Sequence, residues 1–116
     1  MKSKALILLL LLIGCQEENK KFNSKLWHAI DGNNFSQQRE PLVNDLIANH
    51  LYKGMSYKQL TNLLGEPEIG QGSTTIGYTL YVSYGWGIDP EEGRDLMIQL
   101  AKDSTVVDYQ IKEWVR

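Results

Sequence analysis

The chain has 116 residues, 12 of them basic and 14 acidic, for a formal charge of -2 with neutral histidines. That length supports one small domain, and without a basic excess nothing in the charge points to a polyanion such as nucleic acid as a partner. A single cysteine, Cys15, excludes an internal disulfide, so the core alone must hold the fold together.

Lys2 and Lys4 precede an apolar run, Ala5 to Ile13, that is shorter than the roughly 20 residues a spanning helix needs. This is the pattern of a secretory signal. Its end, Leu12-Ile13-Gly14-Cys15, resembles the bacterial lipobox: an aliphatic residue, a small or aliphatic one, Gly or Ala, then cysteine. The resemblance implies that signal peptidase II recognises Leu12, Ile13 and Gly14, removes residues 1–14, and leaves a diacylglycerol thioether on Cys15. A sulfur so modified has no thiolate left for chemistry. At about 0.8 kcal/mol per buried methylene, two or three acyl chains make release from a membrane negligible, so Cys15 is expected to be an anchor. Without Lys2 and Lys4 the balance is 10 basic against 14 acidic residues, a mature charge near -4.

Residues 15–38 read as the lipidated cysteine, a flexible tether and a partly ordered arm. Gln16 to Ser24 is polar with only Phe22 to bury, which suits a tether. Glu17-Glu18 resembles the short acidic signal that carries lipoproteins of Bacteroidota to the cell surface. The expected location is thus the bacterial envelope, most simply the outer membrane, with the domain facing either the periplasm or the outside. From Lys25 to Gln38 the apolar residues Trp27, Ile30 and Phe35 show no clean period, and Asp31-Gly32-Asn33-Asn34 is a turn cluster. The arm is expected to pack Trp27 on the domain.

The folded domain should occupy residues 39–116. Pro41 suits a first helical turn, and Leu42, Val43, Leu46, Ile47 and Leu51 repeat at three and four, predicting a helix from about Glu40 to Tyr52 that Gly54 ends. Ser56 with Gln59 forms a capping box, Met55 can staple against Leu60, and Leu60, Leu63 and Leu64 give a second helix its apolar face. Gly65 and Pro67 stop that helix. Beyond the glycine-rich connector the period changes to two. Ile76, Tyr78, Leu80, Val82, Tyr84 and Trp86 predict one strand, Leu96, Ile98 and Leu100 a second, and Val107, Tyr109 and Ile111 a third, with turns at Asp89–Gly93 and Lys102–Thr105. The expected class is α+β, two short helices covering one face of a three-stranded antiparallel meander.

Leu51-Tyr52-Lys53-Gly54-Met55-Ser56, then Leu60, Leu63-Leu64-Gly65 and Pro67, then a meander, resembles the signature of the SmpA/OmlA (BamE-like) small outer-membrane lipoproteins. Trp27, Arg39, Leu42, Val43, Asp45, Leu46 and Ile47 are similar to a pattern in other Bacteroidota lipoproteins with a beta-lactamase-inhibitor-like fold. The resemblance implies a module that binds proteins through its sheet or loops, without a cofactor. The upstream arm and the acidic turn depart from the barrel-assembly subunit.

No catalytic constellation stands out. His28 and His50 lie on different segments without metal-ligand spacing, and His50 suits a helix end. Asp89, Glu91, Glu92 and Asp95 lack the Asp-x-Asp-x-Asp-Gly spacing of a calcium loop and are expected at a solvated hairpin tip. Gly70-Gln71-Gly72 precedes a strand and has no following lysine, unlike a phosphate loop. With the helices on one face, the opposite face should display Thr79, Tyr81 and Ser83, then Met97 and Gln99, then Asp108 and Gln110. Tyr81, Met97, Gln99, Gln110 and Trp86 are the candidate partner-binding residues. Two functions fit: a non-catalytic accessory of an outer-membrane assembly, or an inhibitor or immunity lipoprotein that binds a toxin or enzyme.

Overall fold

A computed structural model describes residues 19–28, 38–84, 87 and 89–116; the signal segment, Cys15 and Trp86 lie outside the described residues. Three short helices, α1 (Ser24–His28), α2 (Glu40–Asn49) and α3 (Tyr57–Leu64), accompany three strands, β1 (Thr75–Ser83), β2 (Glu92–Leu100) and β3 (Val106–Val115). The strands pair antiparallel in the order β1-β2-β3, so the expected α+β meander is the fold.

The apolar stripe of α2 buries Leu42, Val43 and Leu46. The helix stops at Asn49, short of the expected Tyr52. His50 leaves helical geometry at φ -124°, and Leu51 N–H reaches back to the Leu46 carbonyl at 2.9 Å. The early stop has a tertiary cause, since the chain must next run beside the start of β3. Val106 N–H donates to Met55 C=O at 2.8 Å and Tyr57 N–H to Ser104 C=O at 2.9 Å. Gly54, at φ +96°, makes that turn instead of capping a helix. α3 begins as expected: Gln59 N–H donates to Ser56 Oγ at 3.1 Å, and Ser56 N–H to Gln59 Oε1 at 2.9 Å. Leu60 and Leu64 are buried, and Gly65 ends α3 with a positive φ of 84°.

The arm is more than a loose attachment. Trp27 on α1 is fully buried, donates from its indole to Leu64 C=O at 3.1 Å, and meets the Tyr78 ring edge-on at 6.0 Å. Part of the expected tether is also docked. Lys20 N–H donates to Pro41 C=O at 2.8 Å, Phe22 N–H to Asp45 Oδ2 at 2.7 Å, and Ser24 Oγ to Leu63 C=O at 2.9 Å. Burying Trp27 demands this, because a large ring enters the core only if its flanking backbone finds partners.

Two β-bulges correct the expected faces. In β1, Thr79 pairs with Asp95 and Tyr81 with Arg94, so Leu80 is the extra residue. One inserted residue reverses the alternation beyond it. Tyr81 therefore lies on the helix side with Arg94, whose guanidinium donates to Glu40 on α2, and packs against the core; Val82 takes the open side with Gly93. In β3, Leu100 pairs with Val106 and Gln99 with Asp108, so Val106 is buried and Val107, expected inside, is exposed. β1 ends at Ser83 with Tyr84 exposed, and β2 already begins at Glu92, inside the expected turn.

Candidate functional site

The face of the sheet away from the helices carries Thr79 from β1, Asp95, Met97 and Gln99 from β2, and Asp108, Gln110, Lys112 and Trp114 from β3. Two glycines shape it. Gly77 pairs with Met97, whose Sδ lies 2.5 Å from where a Cβ on Gly77 would sit, so the thioether lies across the backbone. Gly93 pairs with Trp114, and the indole covers it just as closely. The large apolar groups of this face are thus held flat, with their sides rather than their ends toward solvent. Gln99 and Gln110 stand exposed beside them.

Asp95 accepts a hydrogen bond from the Trp114 side chain. Its carboxyl is nonetheless held above the usual range, chiefly by burial and further by the nearby Glu68, with the indole bond opposing. Asp95 is separated in this way from Asp89, Glu91 and Glu92, with which it was expected to share a hairpin tip. Among the described residues no group of three His, Cys, Asp or Glu side chains converges as a metal would require.

The histidines serve local packing. His28 lies against Gly65, with Nε2 3.3 Å from Leu63 C=O, and His50 caps α2, with Nε2 3.3 Å from Asp45 and its ring 5.2 Å from that of Phe22. A depression of about 70 Å³ between Met97, Gln99, Asp108 and Gln110 and one of about 190 Å³ around Tyr81, Arg94 and Trp114 are smaller than the roughly 300–1,000 Å³ clefts that hold small molecules.

No family model, curated protein or solved structure matches this chain. Among the described residues no helix is long and apolar enough to cross a membrane.

Of the candidate residues, Met97, Gln99 and Gln110 come together on the open face, Tyr81 is turned to the other side, and Trp86 lies outside the described residues. One organising residue escaped the list. Arg39, 4% exposed, stacks its guanidinium 4.4 Å above the Trp27 ring and donates from Nε to Trp27 C=O at 3.1 Å. It also donates to both Glu68 oxygens, at 2.9 and 3.2 Å, and to Thr79 C=O at 2.9 Å.

Arg39 and Glu68 finish the outer edge of β1. Glu68 accepts from Thr79 N–H at 2.9 Å, Ile69 exchanges backbone bonds with Gly77 at 2.9 and 3.1 Å, and Ser73 Oγ bonds both the N–H and the C=O of Thr75 at 3.1 and 2.8 Å. Every outward backbone group from Thr75 to Thr79 is therefore satisfied, which closes this edge to further strands. The place of Arg39 beside Trp27 in the pattern shared with other lipoproteins was the available signal, but its partners Glu68 and Thr79 lie 29 and 40 residues away.

Proposed function

We propose that this chain is a lipoprotein of the bacterial envelope, anchored through Cys15, that acts as a non-catalytic protein-binding module, as the SmpA/OmlA (BamE-like) resemblance implies. The observation that carries the reading is the open sheet face. Met97 and Trp114 lie over Gly77 and Gly93 among polar and charged groups, a shallow surface with two apolar side chains rather than a cleft. The rigid Trp114 ring, lying over Gly93, loses little entropy when a partner covers it, which favours contact with a preformed surface.

The test is affinity purification of the tagged full-length protein from its native membranes, with Cys15→Ala and Gln99→Arg/Gln110→Arg as the comparison forms. The wild type should bring down a specific envelope protein, the arginine variant should lose it while folding normally, and Cys15→Ala should lose the membrane fraction. Barrel-assembly components would identify an assembly accessory, and a single toxin or enzyme an inhibitor. Recovery unchanged by the arginine pair would remove this face from the account, and a wild type that captures nothing specific would remove the binding function itself.

A further inference from the structure

The chain leading from Cys15 to the domain is fixed on one side of the protein. Asn44 Nδ2 donates to Asn19 Oδ1 at 2.8 Å, Lys20 N–H to Pro41 C=O at 2.8 Å, and Phe22 N–H to Asp45 Oδ2 at 2.7 Å. Pro41, Asn44 and Asp45 share the face of α2 opposite Leu42, Val43 and Leu46, which are buried in the core with the strands. Asn19 to Phe22 thus form a strap on the outside of the helix layer, and the open face of the sheet lies on the far side of the molecule. Three residues separate Cys15 from Asn19, so their Cα atoms are at most about 14 Å apart. A helix with its side chains is already about 10–12 Å across, and the sheet lies behind it. A lipid on Cys15 therefore falls short of the open face.

We propose that the strap holds the helix side of the domain against the bilayer in which Cys15 is anchored and turns the open sheet face away from it. This rests on the lipid anchor of the proposed function and names the surface that the anchor sets the domain against. Charge selects the same side. Residues 19–28 carry Lys20, Lys21 and Lys25, all exposed, and no carboxylate. Residues 89–116, which form β2, β3 and their turns, carry seven acidic and four basic side chains. A headgroup layer containing anionic lipids attracts the first segment and repels the second. The two carboxylates of α2 do not oppose this, since Glu40 accepts from Arg94, and Asp45 from Phe22 N–H and Asn49. Leu26, 44% exposed beside Lys25, adds an apolar side chain to the basic segment, a mixture suited to the headgroup boundary. Glu17 and Glu18 offset two of the lysines, so the short reach of the strap is the primary constraint and charge the secondary one.

The test uses the lipidated protein in vesicles of phosphatidylcholine, whose net-neutral headgroups leave the reach of the strap as the variable. With the Cys15 sulfur in a thioether, a fluorophore attaches only where Ala48→Cys on the outer face of α2 or Gln110→Cys on the open face supplies a thiol. A nitroxide carried on the lipid headgroup then quenches it at short range. Both positions are exposed, and an unchanged melting transition shows that the labelled forms fold. The α2 label should be quenched severalfold more than the sheet label. A Gly/Ser spacer of about 20 residues between Gln16 and Glu17 spans roughly 25 Å on average and should bring the two labels to similar quenching. Equal quenching without the spacer overturns the proposal, as does a sheet label quenched more than the α2 label or a difference that the spacer leaves intact. A chain that stays out of the membrane, with Cys15 itself taking the fluorophore, overturns the anchor and the orientation with it. An anchored chain with equal quenching overturns the orientation alone.

Discussion

Replacing Arg39 by Met keeps most of its volume and its contact with Trp27 while removing the guanidinium fork. Trp27 C=O and Thr79 C=O then lose their side-chain donor, and Glu68 loses two bonds. Breaking a buried ion pair from one side costs about 3–5 kcal/mol. Glu68 is 31% exposed and keeps its bond from Thr79 N–H, so hydration offsets part of that cost. The two carbonyls lose about 1 kcal/mol each where water cannot replace the donor. The net expectation is a loss of about 2–4 kcal/mol, read as a lower urea midpoint at unchanged slope. At roughly 4–8 °C per kcal/mol for a domain of this size, the melting temperature should fall by at least about 10 °C. Arg39→Lys should recover only part of this, because one ammonium cannot reach acceptors on three separate segments. A cost under about 1 kcal/mol for the Met variant, or a Lys variant as stable as wild type, would mean that water reaches these acceptors and that the pair behaves as a surface one.

Gly93→Ala should be the more damaging of two glycine substitutions, by about 1–3 kcal/mol, because its Cβ meets the Trp114 ring at 2.5 Å and the Tyr81 carbonyl at 2.6 Å. Gly77→Ala meets chiefly the movable Met97 thioether, and equal urea midpoints for the two variants would contradict the arrangement. Asp95→Asn should match wild type below pH 3.8 and become the more stable protein above it. The folded carboxyl titrates above its unfolded value of 3.8, so the folded state holds the extra proton between the two values and wild-type stability falls as pH rises through them. Melting curves at stepped pH check this, and a wild type that gains on the variant toward neutral pH refutes it. Asp45 has the opposite sign: the Phe22 N–H bond, foremost, holds its carboxyl below 3.8. Asp45→Ala should speed hydrogen exchange at the Phe22 amide above pH 3.8, and the difference should close as pH falls through the folded value; an amide equally protected in both proteins would show that the arm docks without this bond.

What the sequence disclosed and what it hid divide by the range of the interaction. The Ser56–Gln59 capping box and the period-two runs of the strands are settled within a few residues, and these features were legible. The two bulges were not. Nothing local to Leu80 or Val107 marks them as extra residues, because each is decided by the strand opposite: Tyr81 pairs with Arg94, which reaches Glu40 on α2, and Val106 is drawn outward by Met55. A single residue at each bulge moved Tyr81 off the open face and Val107 out of the core, so the candidate surface changed although both strands were correctly recognised. Arg39 was opaque for the same reason, since burial of a charge depends on acceptors brought from Trp27, Glu68 and Thr79. The resemblance of Leu12-Ile13-Gly14-Cys15 to a lipobox is read without a fold, which is why Cys15 could be singled out although it lies outside the described residues. Some of the surface was recoverable. Met97 was among the candidate residues and Trp114 was not, and only the register shows that each lies over a glycine of the neighbouring strand. The two outer edges differ as well: the outward backbone groups of Thr75, Gly77 and Thr79 on β1 are satisfied by Ser73, Ile69, Glu68 and Arg39, whereas those of Tyr109, Ile111 and Glu113 on β3 have no partner among the described residues.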